Sequence, residues 1–196
     1  ALAVVAMTGV TRELAKAPLR AVFPVHSRFE DKWHDSVGWF ITNSVLESAV
    51  AEPSVAAAAV KEAVQLGSWP LADVLAPWGG MPTAPGMFAI SWLDQLRLPV
   101  RIDSAGLDAQ YVSARIHTDG VMLWFIQDKS GLHLRCRYPD TVEARTNVGA
   151  WLDLLVARLQ VLAQSSVRGR LQVAGRTFRV QRATREHVGV IAELLS

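Results

Sequence analysis

Between positions 37 and 48 the chain reads V-G-W-F-I-T-N-S-V-L-E-S, which sets three hydrogen-bonding side chains, Thr42, Asn43 and Ser44, in a row inside an apolar run. Each of them, once buried, must find a partner or cost roughly 1–3 kcal/mol. Two readings follow: an edge strand or bulge whose polar residues face water, or a strand lining a polar site. The residue types leave both open. Histidines are the other chemically capable groups. His26, Glu30 and His34 are spaced four apart and on a helix would offer three metal ligands on one face. Pro24 and Gly38 bound their segment, so neither a helix nor a metal is expected there. In R-I-H-T-D-G, residues 115–120, His117 beside Asp119 has the makings of an oriented general base. The plainer account is an Asp119-Gly120 turn with His117 incidental. His133 and Cys136 fall on opposite faces of a strand and cannot share a metal. His187 reads as a surface residue.

The bulk properties narrow the field. A chain of 196 residues, 51% hydrophobic and 19% charged, can bury a real core and is too apolar for disorder. It contains no P-loop, dinucleotide fingerprint, nucleophile elbow or HExxH motif, and no cofactor is expected. Cys136 is the single cysteine, so no internal disulfide and no cysteine zinc cluster can form, and a reducing, cytoplasmic setting is the default. No apolar run approaches the ~20 residues of a membrane span. The first ten residues are apolar but lack a basic leader and a cleavage site; a start without Met reads as a piece of something longer. Net charge is +2, unevenly spread, because Arg168, Arg170, Arg176, Arg179, Arg182 and Arg185 share a stretch without an acid. Such a tail suits a solvated surface first, then an acidic carrier protein or an anionic lipid surface. Without a zinc-finger, helix-turn-helix or RRM signature, no nucleic-acid partner is expected.

These groups need elements to hold them. The spacing of Leu2, Val5, Met7, Val10 and Leu14 predicts a helix over 1–17 that Pro18 stops. Residues 19–25 read as a strand, which Pro24 places at an edge or near a strand end. H-S-R-F-E-D-K-W-H-D-S is a loop into the 37–48 strand. Pro53 and Ser54 open an alanine-rich helix to about 66, stopped by Gly67. A short helix over 71–76 ends at Pro77. W-G-G-M-P-T-A-P-G-M, residues 78–87, is a loop of constrained shape, and a short strand follows over 87–92. Residues 121–127 are apolar on both faces, as a central strand should be. D-K-S-G turns the chain into 132–138, where Leu132, Leu134, Cys136 and Tyr138 face one way and His133, Arg135 and Arg137 the other: a hairpin. Pro139-Asp140-Thr141 caps a long helix with Val148, Trp151, Leu152, Leu155, Leu159 and Leu162 in one stripe. The last thirty residues predict two short strands, 171–173 and 177–180, and a helix from about 185. The order predicts an α/β sandwich with helices on one face of a mixed sheet.

That order resembles the C-terminal half of the condensation-domain superfamily, the coenzyme-A- and carrier-dependent acyltransferases. Within it, the chain looks most like the polyketide-associated (Pap) acyltransferases of mycobacteria, which acylate trehalose in cell-envelope lipids. The family carries V-G-x-F-x-N after a basic residue. Here Arg28 precedes Val37, Gly38, Phe40 and Asn43, with the asparagine five rather than four residues after the glycine. Q-L-G-S-W-P-L-A-D-V-L (65–75), M-F-A-I-S-W (87–92) and G-L-H-L-R-C-R-Y-P-D (131–140) with its helix resemble later family segments.

The resemblance implies a chloramphenicol-acetyltransferase-like subdomain over 1–165, one half of a two-subdomain enzyme with the active-site tunnel between the halves, and a basic C-terminal extension over 166–196. It implies no metal. The family's general base is the second histidine of HHxxxDG in the N-terminal half; this sequence has no such motif, and H-T-D-G at 117–120 has other spacing. The implied partners are therefore the N-terminal half of the same enzyme, acyl-CoA or an acyl carrier protein as donor, and a trehalose-type acceptor. No catalytic residue is expected in this chain, which should be inactive alone. The implied substrate-binding residues are Thr42, Asn43, Ser44, Trp39 and Arg28, with the first three on a strand facing the tunnel. Trp39 and Phe40 would straddle that strand, and the G-G-M-P-T-A-P-G loop would cross to the other half. The implied location is the cytoplasm, with peripheral contact at the inner membrane through the basic tail. Two rival classes stay open: a non-catalytic module docking an acyl carrier protein or partner through the tail, and a scaffold domain that dimerises through an apolar face.

Overall fold

Helix α1 spans Leu2–Ala15 and stops at Lys16, which takes the left-handed conformation at φ 54 while its N–H still reaches Arg12 O. Pro18 then forbids further helix. In the computed structural model, whose description covers residues 1–80, 85–98, 106, 116–169 and 192–193, the chain divides into two units, Ala1–Ile90 and Ser91–Ser196.

In the first unit, β1 (Leu19–His26) pairs antiparallel with β2 (Ile41–Ser48) along its whole length, from Leu19↔Ser48 to His26↔Ile41. Strand β3 (Phe88–Asp94) joins β1 in parallel through Val22↔Ala89 and continues into the second unit. The order β2-β1-β3 leaves β2 at an edge. Its burial alternates: Ser44, Leu46 and Ser48 are buried, whereas Ile41, Asn43, Val45 and Glu47 are exposed. The buried side meets helix α2 (Pro53–Leu66), whose Ala56, Ala59 and Ala63 are buried at helical spacing. Small side chains on that stripe let the helix lie close to its neighbours. α1 packs against α2 and β1. The stripe expected on α1 shifts: its first turns bury Ala3, Val4, Ala6, Met7 and Val10, and Leu14 is 48% exposed because the last turn runs into solvent. The strand expected over 37–48 begins only at Ile41, since Val37 and Trp39 have nothing to pack against and Trp39 is 86% exposed.

After α2, a short helix α3 (Leu71–Leu75) passes into a 3-10 turn, Ala76–Trp78. Four residues of the glycine- and proline-rich loop, 81–84, lie outside the described ones.

In the second unit β4 (Val121–Gln127) and β5 (Leu132–Arg137) form the expected hairpin, paired from Met122↔Arg137 to Gln127↔Leu132. The strand order there is β3-β4-β5-β6, where β6 is Ala192–Glu193, set against β5 at Leu134 and His133. At 192–193 this is strand where a helix from about 185 was expected; the other residues of that expected helix lie outside the described ones. Residues 171–180 lie outside the described ones. Leu123, Phe125, Leu132 and Leu134 are buried, and Trp92 stacks on Phe125 at 5.5 Å. Helix α4 (Val142–Gly169) starts as its sequence dictates: Thr141 Oγ1 accepts the Ala144 N–H at 3.1 Å, the N-cap bond. Leu155 and Leu159 are its buried positions among those expected. Among the described residues, no helix is long and apolar enough to cross a membrane.

Candidate functional site

The loop between β1 and β2 is held by its own side chains. Ser27 N–H donates to Phe40 O at 2.8 Å, which extends the strand ladder past its last pair. A 3-10 turn, Asp31–Trp33, follows. Arg28 reaches back across it: Nη1 donates to Trp33 O at 3.0 Å and His34 O at 2.9 Å, and the guanidinium sits 4.3 Å from the Phe40 ring centroid. Glu30 takes Lys32 at 2.7 Å and the Trp33 indole N–H at 3.3 Å. The Lys32 hydrogen bond first, then that of Trp33, hold the Glu30 carboxyl below its usual range.

A second segment comes down beside this loop. α2 ends at Gly67, and a Cβ there would lie 2.0 Å from Val25 Cγ2, so only glycine lets the helix end approach β1 this closely. The approach creates a cleft of about 460 Å³. Gly67, Ser68, Trp69, Pro70 and Leu71 form one wall; Ser27, Phe29, Glu30, Ile41 and Thr42 form the other. Phe29 and Trp69 are 47% and 63% exposed, so part of each ring is open to solvent. Ser68 Oγ is committed to Gln65 O at 2.7 Å. The volume suits a small ligand. Partly open aromatic rings, two hydroxyls and an ionised carboxylate suit one that carries both C–H faces and hydroxyl groups.

The expected site residues separate here. Thr42 lines the cleft. Ser44 faces the same side but is buried, and its hydroxyl donates to Ala63 O at 2.6 Å. Asn43 lies on the opposite, exposed face, paired with Pro24. A strand's period of two imposes this split, so the three cannot face one tunnel together. Trp39 stands in the loop before β2, exposed, and Arg28 is the loop's staple. Ser27, Phe29, Glu30, Ser68 and Trp69 were not anticipated; the stop at Gly67 followed by S-W-P was their only sequence signal.

None of the described histidines lines the cleft, although His26 packs on Phe29 with ring centroids 5.5 Å apart. His26, Glu30 and His34 fall on a strand end, a loop and a turn, and among the described residues no group of three His, Cys, Asp or Glu could hold a metal. His117 is exposed beside a bend in which Thr118 Oγ1 accepts the Gly120 N–H at 3.2 Å. His187 lies outside the described residues.

His133 has an unanticipated partner. Asp128 Oδ1 takes Ser130 N–H at 2.8 Å, Ser130 Oγ at 2.6 Å, Gly131 N–H at 3.1 Å and His133 Nε2 at 3.1 Å. Burial pushes the Asp128 carboxyl up, but the bonds from Ser130 and His133 outweigh it together and leave the group below its ordinary value. A proton relay would set histidine between serine and aspartate through separate ring nitrogens. Here one nitrogen, Nε2, meets both, so the cluster clamps the hairpin turn. Cys136, on the other face of β5, has its thiol pushed up to about 12 by burial.

No family model and no curated protein matches the chain. Among solved structures it is similar to PapA2 acyl transferase, with a TM-score of 0.61 and 18% identity, over 79% of this chain and 36% of that one. It is also similar to a structure reporting condensation-domain-mediated chain release from the enacyloxin polyketide synthase, with a TM-score of 0.52 and 14% identity, over 93% of this chain and 38% of that one. The chain thus spans little more than a third of either. The likeness is one of fold: a mixed α/β fold like that of about a third of each of those two chains.

Proposed function

We propose that this chain is the C-terminal half of an acyltransferase that moves a long-chain acyl group from a CoA or carrier-protein thioester to a hydroxyl of trehalose, in cell-envelope lipid biosynthesis. The observation that carries this reading is the likeness to PapA2 acyl transferase over 79% of the chain. Attack of a hydroxyl on a thioester needs a base for the departing proton and donors for the oxyanion. With no described histidine lining the cleft, the base belongs to the N-terminal half. This chain holds the acceptor: Glu30, Ser27 and Thr42 meet sugar hydroxyls, and Phe29 and Trp69 lie against its C–H faces. Trp39, which is exposed, and Arg28, which fixes the loop, complete the proposed set; Asn43, on the opposite face of β2, is left out of the cleft. Ser44 is left out because its hydroxyl is spent on α2. The protein works in the cytoplasm, held at the inner membrane through residues 166–196.

The test is turnover of a long-chain acyl-CoA with trehalose. The chain alone should be inactive, and adding the upstream half should restore transfer. In that complex Thr42→Ala and Glu30→Gln should each lower kcat/KM for trehalose about tenfold, the loss of one hydrogen bond to substrate. Turnover by the chain alone would sink the half-enzyme reading.

A further inference from the structure

The hairpin carries a second set of chemically capable groups, in the other unit. On the face away from Leu123, Phe125 and Leu134, register sets Arg135 directly opposite Trp124, and Arg137 one pair further along opposite Met122. Both guanidiniums lie over the same indole, Arg135 at 5.6 Å and Arg137 at 5.5 Å from the ring centroid. All three side chains are half-buried. Among the described residues neither arginine has a carboxylate partner. Two like charges thus converge on the face of one ring. A bound dianion would relieve their repulsion, and the planar fork of each guanidinium matches phosphate oxygens in pairs.

We propose that Trp124, Arg135 and Arg137 form a binding site for the phosphate monoester of a small soluble molecule. The indole is the floor that aims the two guanidiniums, and the phosphate bridges them. The assignment rests on this face and not on acyl transfer, so it stands or falls separately from the cleft.

The experiment titrates the 196-residue chain with adenosine 5′-monophosphate at low ionic strength, following heat and the arginine Nε–Hε resonances of Arg135 and Arg137. Adenosine, inorganic phosphate and phosphatidylserine vesicles are the comparison arms. Saturable binding of the monophosphate, with both arginine resonances shifting and adenosine silent, is expected. Arg135→Gln/Arg137→Gln should weaken it at least about tenfold, with the Lys pair in between. Should the Gln variant fail to fold, the resonances of the unaltered chain decide. No saturation, unmoved arginine resonances, equal binding by a folded Gln variant, or capture of vesicles in place of the monophosphate each overturns the proposal.

Discussion

Ser44 and Asp128 show how single side chains are committed. The Ser44 hydroxyl is buried on Ala63 O, whose other lone pair takes the Gly67 N–H at 3.1 Å. Ser44→Ala should therefore cost about 1 kcal/mol, the net value of one hydrogen bond, because Ala63 O keeps a partner. Urea unfolding measures it, and under the proposed function trehalose binding with the upstream half present should stay unchanged. Asp128 carries a pH signature. Its folded-state value lies below the ordinary one, so its contribution is complete above the unfolded value, about 3.9, and fades as pH falls through the folded value. Melting temperature should hold its Asp128 share from neutrality down to about pH 4 and lose it below. Asp128→Asn should be less stable at pH 7 and show a shallower acid decline; an unchanged decline would show that the clamp does not couple to folding. The Cys136 thiol, pushed to about 12, should resist alkylation at pH 8 until the chain unfolds.

At the scale of elements, the decisive contact joins a helix end to a strand. Gly67 leaves no room for a Cβ beside Val25. Gly67→Ala should force α2 away from β1 and destabilise by about 1–3 kcal/mol, the usual cost of overpacking. Val25→Ala in the same chain should recover part of that loss, so a double-mutant cycle would show coupling of favourable sign. Strict additivity would mean that the two do not touch. The same element contact fixes the cleft walls, so under the proposed function Gly67→Ala should also weaken trehalose use with the upstream half present, where Ser44→Ala does not. The hairpin and α4 need no such long-range help. Alternation from Leu132 to Arg137, the D-K-S-G turn and the Thr141 cap are local signals, and the structure realises each close to its sequence limits.

For the whole molecule, the chain's length against its structural neighbours sets the expectation. It matches 36–38% of their chains. A partner that binds the folded form stabilises it by mass action, about 2.7 kcal/mol at a hundredfold excess over Kd. Supplying the upstream half should raise the melting temperature of this chain. Ile41 and Val45, apolar and about half exposed on the open side of β2, are the residues to charge in a first attempt to abolish the gain. A melting temperature that the upstream half leaves unmoved would count against the half-enzyme reading.

The sequence by itself determined the elements whose causes are local. Pro18 and Pro53 set helix ends, strand alternation predicted the β4–β5 hairpin, and a lone cysteine ruled out an internal disulfide. Segment order was enough to predict an α/β sandwich. Tertiary structure alone decided what the polar residues are for. Thr42, Asn43 and Ser44 are adjacent in sequence, and the strand's pleat sends them to a cleft, to solvent and to a helix carbonyl. The cleft is built from residues 27–42 and 67–71, which meet because Gly67 lacks a side chain opposite Val25. The Asp128 clamp and the paired arginines over Trp124 arise the same way, from turn geometry and cross-strand register. Local patterns act over a few residues and are written in the chain. Which groups end up within 3 Å of each other depends on packing between distant segments, and only the folded molecule fixes that.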